Sequence, residues 1–122
     1  MADEITLTLP RAPDFHRVAH LVLGGLAVRL HLTIENLQDL ELALDSILDR
    51  TDPEGGEITI KMCLRDGELE TVIGPLTHRL LDEIECEADG ELDLRRVLES
   101  TVEDVRIDAD RVHLTKKVAV RG

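Results

Sequence analysis

The sequence predicts an α/β domain, more narrowly a two-layer α+β sandwich whose mixed, mostly antiparallel sheet carries its helices on one face. Three observations carry this prediction. Short alternating runs are joined by tight-turn signals, which is the pattern of β-hairpins. Four other segments space their apolar residues at the helical period. The resulting order, β-α-α-β-β-α-α-β-β, has hairpins where a parallel sheet would need repeated crossovers.

Residues 4–9, Glu-Ile-Thr-Leu-Thr-Leu, alternate apolar and polar and stop at Pro10, giving a first strand. Pro13 biases Ala12 away from helix and leaves Asp14 as the expected N-cap of a first helix. That helix runs to Leu30, with Phe15, Val18, Ala19, Val22, Leu26 and Leu30 as its buried stripe. Leu21 and Val28 stand one heptad apart on the opposite side with Gly25 between them, so the helix offers apolar surface in two directions. Thr33 caps a second helix with the stripe Leu37, Leu40, Leu44, Ile47 and Leu48, ended by Thr51-Asp-Pro-Glu-Gly-Gly.

Ile58, Ile60, Met62 and Leu64 alternate with Thr59, Lys61 and Cys63, and Asp66-Gly67 turns the chain into a partner strand from Glu68 to Ile73, closed by Gly74-Pro75. A short helix over 76–87 uses Leu76, Leu80, Leu81 and Ile84, and another uses Leu94, Val97, Leu98 and Val102. The strands Asp104–Asp108 and Val112–Val120 form a last hairpin around Ala109-Asp110-Arg111. One domain over residues 1–122 is expected from the length.

With Phe15 as the one aromatic residue, the core must be aliphatic, and base stacking on aromatic platforms is excluded. The net charge of −12 concentrates in residues 32–104, which hold 21 acidic against 6 basic side chains. Such a surface repels phosphate backbones and suits a basic protein partner, although a solvated face that keeps the protein soluble is the more common reason for it. Direct nucleic-acid binding is not expected. Cys63 and Cys86 are isolated, and no long hydrophobic span or signal-like segment is visible, so free thiols in a cytoplasmic, non-membrane protein are expected.

Candidate chemistry is sparse. His16 and His20 have chelating i, i+4 spacing, but Arg17 replaces the glutamate of a His-Glu-x-x-His motif and no third ligand is evident, so no metal is expected. Ser46, Ser100 and Thr115 lack a nucleophile setting, and Cys63 has no adjacent base. Glu83, Glu85, Glu87, Asp89, Glu91 and Asp93 lack the spacing and central glycine of a calcium loop.

The opening Ile5-Thr-Leu-Thr-Leu-Pro-Arg, the helix Val18-Ala-His-Leu-Val-Leu-Gly-Gly-Leu-Ala, Asp39-Leu-Glu-Leu-Ala-Leu-Asp, and the ending Leu98-Glu-Ser-Thr-Val-Glu-Asp-Val-Arg-Ile with Val112-His-Leu-Thr-Lys-Lys carry a resemblance. Across nearly the whole chain they resemble the anti-sigma-factor serine kinases of bacteria, a branch with the histidine-kinase-like ATPase fold. The resemblance implies three nucleotide motifs. A Glu and an Asn on the second helix, acting as general base and magnesium ligand, correspond to Ser46 and Arg50. The Asp of Asp-x-Gly-x-Gly, which accepts from the adenine amine, corresponds to Val72, with Gly74 retained and Leu76 at the second glycine. The glycine pair before the last helix is replaced by Leu92, Asp93 and Leu94. Asp45 and Asp49 are also four apart, but a one-residue slip onto them would turn the core stripe and restores neither of the other motifs.

The implied protein is thus a degenerate relative, a pseudo-kinase with a vestigial pocket at Ser46, Arg50, Val72, Gly74, Leu76 and Asp93, no catalytic residues and no cofactor. Its expected role is transcription regulation by protein binding. By resemblance the partner is a sigma factor or the antagonist protein of such kinases, held through Leu21, Val28 and Arg50. The resemblance also allows a homodimer through the first strand and first helix. The competing expectation is an ATP-binding serine-protein kinase that keeps its activity through altered contacts.

Overall fold

The computed structural model describes residues 3–86 and 93–118. Strand β1 (Asp3–Pro10) leads through a 3-10 turn (Pro13–Phe15) to α1 (His16–Leu30) and α2 (Ile34–Leu48). The hairpin β2 (Glu57–Arg65) and β3 (Glu68–Gly74) follows, then α3 (His78–Glu85), α4 (Leu94–Thr101) and the hairpin β4 (Asp104–Asp108) and β5 (Arg111–Lys117). The five strands lie in the order β1-β2-β3-β5-β4. Every pairing is antiparallel, so the mostly antiparallel sheet expected from the sequence is wholly so among the described residues.

One face of the sheet is apolar. Ile58, Ile60 and Met62 of β2, Leu69 and Ile73 of β3, and Val112 and Leu114 of β5 are buried together with leucines from all four helices. The intervening residues, among them Glu4, Lys61, Glu70 and His113, line the other face. The alternation read from the sequence therefore sorts a helix-covered side from a bare one.

Local signals account for the boundaries. Asp66 and Gly67 both take positive φ, 52° and 77°, as a two-residue hairpin turn matched to strand twist requires. Thr33 and Thr77 accept the backbone N–H groups of Asn36 and Leu80 and so start α2 and α3. α1 ends with His31 in the left-handed conformation, where the Leu32 N–H reaches the Ala27 carbonyl at 2.9 Å. Only three residues separate α1 from α2, so the two helices run back against each other.

Two expectations about α1 are corrected. Asp14 lies inside the 3-10 turn rather than at the cap, and the N-cap residue Phe15 supplies no side-chain hydrogen bond. The buried stripe is Ala19, Leu23, Leu26, Ala27 and Leu30, whereas Phe15 and Val18 are exposed and Val22 is half-buried. α1 is apolar on most sides, so periodicity alone tolerated a rotation that only packing against α2 and the sheet resolves. Glu87, Asp89 and Glu91 of the acidic run, and the end of the last predicted strand at 119–120, lie outside the described residues.

Candidate functional site

Ser46 lies in the last turn of α2, and Arg50 lies two residues past its end. Ser46 is buried, and its Oγ donates to the Leu42 carbonyl at 2.7 Å. A serine bonded back to its own helix offers no base. The Arg50 guanidinium donates through Nη1 to the Ser46 carbonyl at 2.8 Å, and its Nε lies 3.7 Å from Glu83 Oε1 on α3. A cation here satisfies an open helix carbonyl and complements the negative end of the helix dipole.

The β3 positions do not join that pair. α2 packs over the face of β3 that carries Leu69, Thr71 and Ile73, and a small cavity of about 10 Å³ is lined by Ala43, Leu44, Thr71 and Ile73. Val72 points the other way and lines the bare face with Glu68 and Glu70. A strand reverses its side chains at every residue, so a group acting beside Ser46 and Arg50 must share the parity of Thr71 and Ile73. Val72 therefore lies on the opposite side of the strand from α2. Gly74 has the Val72 parity, and a Cβ there would fall 2.6 Å from Arg111 Cγ and 3.1 Å from the Asp110 carbonyl oxygen. Its glycine identity is explained by the β4–β5 turn pressing on it. Leu76 is a core residue whose N–H donates to the Asp110 carbonyl at 2.7 Å, and Asp93 is the exposed N-cap residue of α4.

A second constellation lies between α1 and α2. His20 Nε2 is 2.5 Å from Asp45 Oδ1, its Nδ1 is 3.1 Å from Glu41 Oε2, and His16 Nδ1 is 3.5 Å from Asp49 Oδ1. Residues four apart on each helix thus meet across an antiparallel seam. The hydrogen bond that His20 donates to Asp45, aided by the Asp45 and Glu41 charges and opposed by burial, raises the His20 pKa above its ordinary 6.5. His16 Nε2 is buried with no hydrogen-bond partner among the described residues. The seam opens into a groove of about 540 Å³ lined also by Arg17 and Leu21. Among the described residues no group of three or more His, Cys, Asp or Glu side chains is arranged to hold a metal ion.

Leu21 and Val28 are 75% and 78% exposed, with Ile34 at 73% and Leu42 at 50% on the neighbouring helix. The sequence singled out the first two, but neither the carboxylate ladder Glu41, Asp45, Asp49 nor its pairing with the histidines. The i, i+4 spacings were present on both helices; what was missing was the antiparallel docking that brings them together.

No family model matches the chain. Serine-protein kinase RsbW of Listeria monocytogenes is 32% identical over 76 residues, which cover 57% of this chain and 48% of the relative. RsbW of Oceanobacillus iheyensis is 30% identical over 77 residues, covering 58% and 49%. Over this segment the chain is homologous to the RsbW kinases. It spans about half the length of these curated relatives. In fold it matches the crystal structure of the RsbU and RsbW domains of Rv1364c from Mycobacterium tuberculosis, with a TM-score of 0.68 at 17% identity over 97% of this chain and 32% of that one. At this identity the match speaks for the fold, which is the expected histidine-kinase-like ATPase arrangement.

The similarity to serine-protein kinases raises the question of a magnesium nucleotide, and the side chains at the positions that the resemblance assigns to one do not fit it. At the positions that the resemblance assigns to it, Ser46 brings no carboxylate, Arg50 brings a cation, Val72 has no acceptor side chain and Leu76 is buried in the core. Asp45 and Asp49 are turned toward the α1 histidines. No helix among the described residues is long and apolar enough to cross a membrane.

Proposed function

We propose that the chain acts as a single regulatory module that binds another protein without phosphotransfer, an anti-sigma-factor-like pseudo-kinase. The observation that supports this most is the occupation of the nucleotide positions. Ser46 bonds its own helix, Arg50 caps it and leans on Glu83, and Leu76 is buried. Three positions that such a kinase uses for its base, its metal ligand and the second glycine of its adenine motif are taken by contacts that hold the fold together. The docking surface in this reading is the solvent side of α1 at Leu21 and Val28, continued toward Arg50 at the end of α2. By kinship the partner is a sigma factor or the antagonist of an RsbW-type kinase. A homodimer over β1 and α1 would compete for the same surface.

Isothermal titration with ATP and with ADP, each with and without magnesium, tests the reading. Silence at millimolar nucleotide is expected. Binding in the micromolar range, roughly −8 kcal/mol, overturns it. The second reading, an ATP-dependent serine-protein kinase with altered contacts, is favoured by the 32% identity to proteins named as such. It requires that titration to succeed and phosphate to reach a serine of the antagonist.

A further inference from the structure

A neutral imidazole carries one N–H, and an imidazolium carries two. His20 faces a carboxylate oxygen on each ring nitrogen, Asp45 at 2.5 Å from Nε2 and Glu41 at 3.1 Å from Nδ1. Both contacts are attractive only when both nitrogens are protonated. With one proton gone, a ring lone pair is left facing a carboxylate oxygen, and one of the two attachments between the helices turns repulsive.

We propose that His20 is a proton-operated clasp between α1 and α2, closed on Glu41 and Asp45 as the imidazolium and released from one of them when it loses a proton. The surroundings favour this. α2 turns three carboxylates toward α1, Glu41, Asp45 and Asp49, while α1 carries no acidic residue. The remaining acids on the packed elements are placed elsewhere: Asp39 pairs with Lys116, Glu35 is exposed in the first turn of α2, and Asp14 is exposed in the 3-10 turn. On the α1 side, His16 meets Asp49 and Arg17 stands at the groove edge. The raised pKa of His20 agrees with this geometry. Because α1 carries Leu21 and Val28, the clasp governs how firmly the proposed docking face is held; only this consequence rests on the protein-binding reading.

The test compares the intact protein with His20→Gln, which keeps a polar side chain but does not titrate. Hydrogen exchange of the amides of residues 16–30, corrected for intrinsic rates, is followed from about pH 5.5 to about pH 8.5. Protection of α1 relative to the variant is expected to fall roughly three- to tenfold over that range, the size of losing one partly exposed charged hydrogen bond. Parallel profiles for the two proteins overturn the proposal. Should His20→Gln fail to fold, the ring-proton NMR titration of His20 in the intact protein decides: a midpoint above 6.5 is expected, and one at or below 6.5 overturns the clasp. Neither readout involves a partner protein, so failure here leaves the protein-binding reading standing.

Discussion

Lys116 of β5 reaches across to Asp39 of α2, Nζ to Oδ2 at 3.0 Å, although the lysine is only 8% exposed. Glu103 adds a second carboxylate oxygen at 3.8 Å. A cation in the helix-covered layer is tolerable because it is paired, and the pair ties the second helix to the last strand. Removing the anion is expected to cost more than removing both the charge and its need for a partner. Asp39→Ala should destabilise by about 1–3 kcal/mol, while Lys116→Met, which keeps the volume, should stay within about 1 kcal/mol. Urea denaturation of the two variants checks the ordering.

Gly74 sits against the β4–β5 turn with no room for a methyl group. Gly74→Ala should destabilise by about 1–3 kcal/mol through displacement of Arg111 and the Asp110 carbonyl. Because the nearest atom is Arg111 Cγ, Arg111→Ala in the same chain should return part of the loss. An additive double mutant would point instead to the backbone at Asp110 and Arg111 as the obstacle.

Leu23 is 1% exposed and Val18 is 36% exposed. Leu23→Ala is expected to cost about 2–5 kcal/mol and Val18→Ala less than about 1 kcal/mol. Leu21→Ser and Val28→Ser should leave stability within about 0.5 kcal/mol, since both side chains already face solvent. Thermal denaturation of these four variants distinguishes the observed stripe of α1 from the one that periodicity favours.

Asp45→Asn should lower the His20 pKa, because the Asp45 hydrogen bond is the largest cause of its elevation. The sign follows from linkage. A histidine whose pKa is raised on folding adds stability that is complete below the unfolded value of 6.5 and disappears as pH climbs through the folded value. In Asp45→Asn that loss should be smaller and centred at lower pH. Unfolding midpoints of the two proteins, collected across that interval, give the comparison.

The double variant Arg50→Asn, Val72→Asp should not acquire ATP binding. Val72 lies on the bare face of the sheet, away from α2, so a carboxylate there cannot meet a nucleotide seated beside residue 50. Calorimetry should show no heat beyond dilution, and a micromolar signal would overturn the parity assignment.

The strands, the hairpin turn and the start of α2 were legible because each is written locally, in the alternation from Ile58 to Met62, the Asp66-Gly67 turn and the Thr33 cap, whereas the Asp14 cap was misplaced. The facing of β3 was not, because Val72 and Ile73 are both apolar and the alternation that would have fixed the parity disappears at the position that mattered. The α1 stripe failed for a related reason, an excess of apolar residues around the helix. Of the candidate site, Leu21 and Val28 could be picked out as a second apolar side, whereas the His20 seam depends on which helix faces which.

Register also brings the two outer strand ends of the described residues together. Asp3 pairs with Leu64 and Lys117 pairs with Glu68, so the first and last strands both meet the outside at the end of the sheet that holds the Asp66-Gly67 turn. Two strands lie between them, a separation of about 15 Å at the usual strand spacing. The outer ends of β1 and β5 therefore share one pole of the sheet, and the α2–β2 loop and the β4–β5 turn share the other.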